Sequence, residues 1–394
     1  MERVYLDNNA TTTLLPEVRD AVARAMAAGA SNASSAHSGG DAARSILAGC
    51  RDAVGRLIGA PSESLVFTSG GAEANNLVLQ SVARATRGKP ARILTTVVEH
   101  ASVLRACEAL EAQGAEIAYL PVDADGRVVV SEAAEMIAAG TALVSVQWVN
   151  NETGVIQPVE EIGKLCRSRG VAFHTDAAQA VGKLPAAIAG MPIDYLSLTA
   201  HKWHGPAGIG VVYVAPGRRL LPMIHGGGQE HGLRAGTENL LGLAGMGCAA
   251  DLRRSRLDAV CRHMGAVRDL FEKLLLSRLP GIRINGQAAP RVCNTSNVMF
   301  TGADGQAMVA RLDQRGVCCS QGSACEASRP EPSHVLRAMG LSEEEAYSCL
   351  RFSFSELTTD DEIRRAVDAI ADVCTKVSGN RIGQALAAGR GREK

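Results

Sequence analysis

Chemistry in this chain concentrates where apolar, β-branched runs end in polar residues. One such run ends in Ser197-Leu198-Thr199-Ala200-His201-Lys202-Trp203-His204-Gly205-Pro206. It places a lysine amine at the carboxyl edge of a sheet, the edge on which open α/β folds bind ligands. A lone lysine is most often a solvated surface residue, so the neighbours decide. Another run ends in His174-Thr175-Asp176-Ala177-Ala178-Gln179. Asp176 there can keep a pyridinium nitrogen protonated, and Gln179 can donate to a ring oxygen. A Schiff-base lysine with an aspartate facing the ring nitrogen is what proteins usually contribute to pyridoxal phosphate chemistry. Three further strand ends supply parts. Thr68-Ser69-Gly70-Gly71-Ala72-Glu73 opens a helix with a glycine turn, a weak phosphate-binding signal on its own. His100 follows the Ile93–Val98 run and can stack on a ring, although single histidines are commonly structural. Asn150-Asn151-Glu152-Thr153-Gly154 brings an amide that can reach a cofactor or a substrate carboxylate. Chance rarely aligns so many polar groups at the ends of separate strands.

The elements that must position these groups lie between residues 64 and 214. Strands are predicted at Leu65–Thr68, Ile93–Val98, Glu116–Leu120, Leu143–Val149, Val171–His174, Tyr195–Thr199 and Gly210–Val214. Amphipathic stretches such as Ser102–Gln113 and Val159–Arg169 separate several of them. This alternation predicts an α/β fold with a mostly parallel seven-stranded sheet covered on both faces. The last two runs are too close for a crossover helix, so one strand is expected to be antiparallel. A helix is predicted over Leu252–Leu279, ended by Pro280-Gly281, and a smaller α+β unit beyond it. The expected division is 15–250 for a large domain, with 1–14 and 251–394 forming the small one. Within the small unit, Ser320–Ser333 reads as an exposed polar loop.

Composition restricts the partners. The 394 residues carry 41 Lys+Arg and 41 Asp+Glu, a formal charge of zero. That balance argues against nucleic acid or an anionic membrane surface as main partner. No apolar run nears the ~18–20 residues of a membrane span, and Met1-Glu2-Arg3-Val4-Tyr5 lacks the layout of a secretory signal. A soluble, cytoplasmic protein is expected. The 11 cysteines are odd in number, scattered and without a Cys-x-x-Cys pair. A disulfide framework or structural zinc site is therefore disfavoured, and most of them read as small packing residues.

Taken in order, the motifs resemble the cysteine desulfurases of the NifS/IscS class, pyridoxal-phosphate enzymes of the class V aminotransferase family. They run from Tyr5-Leu6-Asp7-Asn8-Asn9-Ala10-Thr11-Thr12 through Val98-Glu99-His100, Asn150–Gly154, Phe173–Ala180 and Ala200-His201-Lys202. Gly226-Gly227-Gly228-Gln229-Glu230, Arg234–Asn239 and Gly322-Ser323-Ala324-Cys325 complete the set. The resemblance implies a homodimer of the fold-type I architecture that takes sulfur from L-cysteine and leaves L-alanine. By the same token Lys202 is the Schiff-base lysine, His100 the stacking residue and proton shuttle, and Asp176 the pyridinium partner. Gln179 is implied at the phenolic oxygen of pyridoxal 5′-phosphate. Gly71, Ala72, Thr199 and His201 are implied at its phosphate, with Thr237 from the partner subunit. Asn151 and Arg351 are implied at the substrate carboxylate, which suits a guanidinium fork. Aromatic residues are only 3% of the chain, which fits a stacking histidine.

Cys325, in the polar loop, is the implied persulfide carrier, and a thiolate is the form that must attack. Cys318 and Cys319 are read as packing residues of the strand before it. No metal is expected at the cofactor site, although Cys325 is a candidate for holding an iron–sulfur cluster transiently. The implied acceptor is an iron–sulfur scaffold or another sulfur-accepting protein. Two departures stand out: Ala72 replaces a common threonine, and Ala207 replaces a basic residue. The tail 377–394 lacks the scaffold-docking end of the housekeeping enzymes, which leans the reading towards nitrogen fixation. The competing readings are a selenocysteine lyase or cysteine-sulfinate desulfinase, which need no persulfide cysteine, and a non-catalytic sulfur carrier, which needs no Lys202–Asp176–Gln179 set.

Overall fold

In the computed structural model, which describes residues 3–29, 32–86, 88–322 and 332–377, the strand–helix alternation becomes one seven-stranded sheet. A short strand β1 (Val4–Tyr5) precedes it. The sheet consists of β2 (Leu65–Thr68), β3 (Arg92–Thr96), β4 (Glu116–Leu120), β5 (Thr141–Ser145), β6 (Ala172–Asp176), β7 (Tyr195–Thr199) and β8 (Gly210–Val214). Their order is β2-β8-β7-β6-β5-β3-β4. β8 alone runs antiparallel to its neighbours, as the short β7–β8 connection requires. β2, β6 and β7 are buried along their whole length, as strands covered on both faces are. All parallel strands therefore end on one edge, and the loops after β2, β3, β5, β6 and β7 meet there.

Several boundaries differ from expectation, and β5 covers Thr141–Ser145 rather than Leu143–Val149. β3 stops at Thr96, not Val98, because the Thr96 hydroxyl donates to Glu99 at 2.8 Å and accepts from the Val98 amide at 3.3 Å. Such local side-chain bonds draw the backbone out of the ladder. β6 runs on to Asp176, whose register partner in β7 is Ser197.

The long helix covers Leu240–Arg278 and so starts well before Leu252. Its glycines read as breakers but act as contact points. A Cβ on Gly245 would lie 2.4 Å from Pro206 Cγ, and one on Gly247 3.0 Å from Cys50 Cα. The Asn239 side chain caps the new start by accepting from the Gly242 amide at 3.0 Å. This helix joins two hydrophobic cores: Leu243, Met246 and Ala249 pack under the large sheet, and Val267, Phe271 and Leu275 in a second cluster. The second core covers a three-stranded sheet of β9 (Ile282–Ile284), β10 (Thr295–Phe300) and β12 (Cys349–Ser353), ordered β12-β10-β9. Phe271 packs against Phe352 and Phe354 at 4.9 and 5.3 Å between centroids. β1 pairs in parallel with β11 (Val317–Cys318), so the N-terminal segment belongs to this second unit. No described helix is long and apolar enough to cross a membrane.

Candidate active site

At the carboxyl edge of the sheet lies a cavity of about 310 Å³. Lys202, His100, Asp176, Gln179, Asn151, Thr199, His201, Arg351, Gly71 and Ala72 all line it. Thr237 is exposed and lies outside that lining. Cys325 lies outside the described residues.

β6 ends in Asp176, whose carboxylate is fixed from two sides. Asn75 Nδ2 donates to Oδ2 at 2.7 Å, and the Ala178 amide to Oδ1 at 2.9 Å. Asn75 also donates to Ser102 Oγ at 2.9 Å. Ser102 in turn orients His100, since its amide donates to His100 Nδ1 at 3.1 Å. An imidazole nitrogen that accepts from an amide carries no proton, so in the neutral ring the mobile proton sits on Nε2.

The glycine turn after β2 leads into the Gly71–Ala85 helix, which starts at Gly70 without a side-chain cap. Its first amides are thus left for an anion, favoured there by the helix dipole. The turn is braced from behind: Glu73 accepts from the Ser69 amide at 2.8 Å, and Arg234 Nε donates to Glu73 at 3.0 Å. Gly210 in β8 must be glycine, because its Cβ would lie 2.6 Å from the Gly70 carbonyl carbon. Thr199 Oγ1 donates to the Ile209 carbonyl at 3.0 Å. His201 meets Thr11 at 3.2 Å, and burial, with the adjacent Lys202, pulls its pKa down to about 4. It is therefore uncharged at neutral pH.

Lys202 Nζ donates to the carbonyls of Asn9 at 2.6 Å and Ala10 at 2.9 Å. The following residue pair is also tied to the N-terminal segment, with the His204 amide donating to Thr12 Oγ1 at 2.7 Å. His204 takes a positive φ of 68°, which turns the chain sharply after the lysine. The N-terminal segment 4–15, ahead of the helix that Pro16 opens, does more than lead into that helix. Asn9 is the join. Its carbonyl accepts from Lys202 and from Gln179 Nε2 at 3.0 Å. Its side chain meets Lys183 at 2.9 Å, the Asn151 carbonyl at 3.1 Å and Thr295 at 2.8 Å. The legible signal was Asp7-Asn8-Asn9 within an apolar lead, since buried amides need partners.

Arg351 on β12 is not the surface ion pair that is the common fate of arginine; it is 1% exposed. Its guanidinium donates to Asp7 Oδ1 at 2.8 Å and to the Asn151 carbonyl at 3.1 Å. Its buried Nε has no protein partner among the described residues. Asp7 Oδ2 accepts from Ser320 at 2.9 Å. Glu99, quoted only as a motif residue, is fully buried and accepts from Thr96 at 2.8 Å and the Gln147 amide at 3.0 Å. Burial pushes its carboxyl up to about 8. Among the other cysteines, burial raises Cys107, Cys166 and Cys349 to about 12, in keeping with packing roles.

The residues fit a phosphorylated pyridine aldehyde. There is an uncapped helix start that only a glycine at 210 lets close, an amine, a pinned carboxylate and an orphaned guanidinium Nε. Comparison with known proteins gives the family. Residues 4–366 match the aminotransferase class-V family. A cysteine desulfurase of Cereibacter sphaeroides is 44% identical over 380 residues, 95% of this chain and 96% of that protein. One from Trichormus azollae is 40% identical over 377 residues, covering 96% and 94%. A solved NifS-like protein superposes with a TM-score of 0.88 at 32% identity, covering 95% of this chain and 100% of that one.

Proposed function

The chain belongs to the aminotransferase class-V family, and from that premise we propose that it is a pyridoxal 5′-phosphate-dependent cysteine desulfurase of fold type I. It converts L-cysteine to L-alanine and passes the sulfur to acceptor proteins for iron–sulfur cluster assembly. The carrying observation is that Lys202, Asp176 and Arg351 line one cavity in a chain matching cysteine desulfurases over about 95% of its length.

When bound, the cofactor supplies an electron sink beside the substrate α-carbon. Lys202 holds it through Nζ and must first leave the Asn9 and Ala10 carbonyls. Asp176, held rigid by Asn75 and the Ala178 amide, keeps the ring nitrogen charged. The amides at Gly71 and Ala72, with Thr199 and His201, take the phosphate, and Thr237 of the partner subunit joins them in a homodimer. Exposed Leu221, Ile224 and Leu241, at 38%, 39% and 37%, flank the loop that bears Thr237 and favour that pairing. Arg351 takes the substrate carboxylate beside Asn151. His100 moves protons through Nε2. The Cys325 thiolate forms a bond to the substrate sulfur as the carbon–sulfur bond breaks, and the electron pair left on carbon takes a proton.

The reading extends to a large domain of 15–250 and a small one of 1–14 with 251–394, to a cytoplasmic setting, and to an acceptor in iron–sulfur or nitrogenase-type assembly. The test is direct. Purified protein should be yellow and, with a dithiol reductant added to discharge the persulfide, release equal alanine and sulfide from L-cysteine. Cys325→Ala should stay yellow and yield no sulfide. A colourless protein that binds no added cofactor would remove the reading. Sulfide release by C325A at the parent rate would remove the cysteine's role.

A further inference from the structure

A second lysine stands behind the cavity. Lys183 is 4% exposed, and its amine is enclosed by protein. It donates to Asn9 Oδ1 at 2.9 Å and to Gln179 Oε1. Burial, with the nearby Lys202 and Arg351, holds its pKa well below the usual range, against an opposing pull from Cys293. The amine meets two acceptors, each taken by one of its N–H groups. Its main chain is anchored as well, since the thiols of Cys261 and Cys293 donate to the Lys183 carbonyl at 3.2 and 3.4 Å.

The effect falls on Gln179. A carboxamide can be turned over, exchanging an acceptor for a donor, and nothing in its own shape decides which way it faces. Here both sides are decided. The Asn9 carbonyl demands a donor, satisfied by Gln179 Nε2 at 3.0 Å. Lys183 demands an acceptor, satisfied by Oε1. The remaining Nε2 hydrogen is the one left for the cavity that Gln179 lines.

We infer that Lys183 is a positioning residue, an amine that locks the Gln179 amide so that it presents N–H rather than carbonyl oxygen to the cofactor. This rests on the proposed placement of Gln179 at the cofactor's phenolic oxygen. A donor on that oxygen stabilises its negative charge and loosens the proton it shares with the nitrogen linking cofactor to lysine. Releasing the amide removes the donor, so the proton is held to higher pH.

The experiment follows the pH midpoint at which the yellow colour of the holoenzyme fades, together with cofactor binding to apoprotein by tryptophan fluorescence. Lys183→Met should raise the midpoint by about one pH unit and weaken cofactor binding several-fold. It should add no further shift in a Gln179→Ala background. Lys183→Gln, which keeps an N–H donor, should lie near the wild-type midpoint. An unchanged midpoint in K183M, or an undiminished shift in the Gln179→Ala background, overturns the inference. So does a K183Q midpoint displaced as far as that of Q179A, a result readable even if K183M does not fold. Failure of wild-type apoprotein to bind the cofactor would instead defeat the broader reading.

Discussion

Replacing Arg351 with lysine separates charge from geometry at the proposed carboxylate site. The guanidinium is buried and already divided between Asp7 at 2.8 Å and the Asn151 carbonyl at 3.1 Å, with Nε left over. A fork can serve Asp7 and a substrate carboxylate together; a lysine ammonium is a point charge on a narrower stem. Arg351→Lys keeps the buried positive charge, so Asp7 is not stranded and the fold should hold. What disappears is one charge-assisted hydrogen bond to substrate, costing about 1.5–3 kcal/mol. This corresponds to a fall of roughly 13- to 160-fold in kcat/KM, carried mainly by KM if the bond is the same in ground and transition states. The assay is alanine formation against cysteine concentration, with cofactor absorbance and the thermal midpoint measured on the same samples. A kcat/KM within about threefold of wild type, at unchanged cofactor content, would show that the carboxylate is held elsewhere.

Two further perturbations are expected to give signed results. Ala72→Thr, at an exposed position on the uncapped helix start, should add one hydroxyl bond of about 1 kcal/mol, or some fivefold in cofactor affinity; titration of apoprotein that finds equal affinity would refute it. Glu99 ionises near its usual 4.5 when unfolded but holds its proton to about 8 when folded. The unfolded state therefore binds fewer protons between those values, and the group's stabilising contribution is lost as pH rises, by roughly 5 kcal/mol in all. Glu99→Gln should flatten that decline, and urea unfolding at pH 5 and pH 8 showing equal slopes for the two proteins would count against it.

The parts of the site that the sequence made legible are those whose signal is local. Lys202, Asp176 and His100 each follow a recognisable β-branched run, and parallel strands bring such ends together without further information. The rest is set by distant partners. Asn9 meets residues 142 and 286 positions away, and no periodicity announces that. Lys183 hid behind the usual fate of lysines, which is solvation; only its enclosure by Asn9 and Gln179 reveals it. The start of the long helix was obscured because glycine lowers helix propensity, whereas at 245 and 247 it is required by the closeness of Pro206 and Cys50. Glu99 stood in a quoted motif, but its raised pKa comes from burial, which a motif does not report.

The N-terminal segment has a consequence for the order of events during synthesis. β1 pairs with residues 317–318, and the Asn9 amide donates to Ser353 Oγ, 344 positions on. At about 5–20 residues per second, a ribosome needs roughly 17–70 s to supply that partner. Until then the carbonyls that grip Lys202 have no permanent seat, so the lysine's surroundings are among the last parts of the chain to mature. The large sheet can form early; the site it serves must wait until residue 353 has been made.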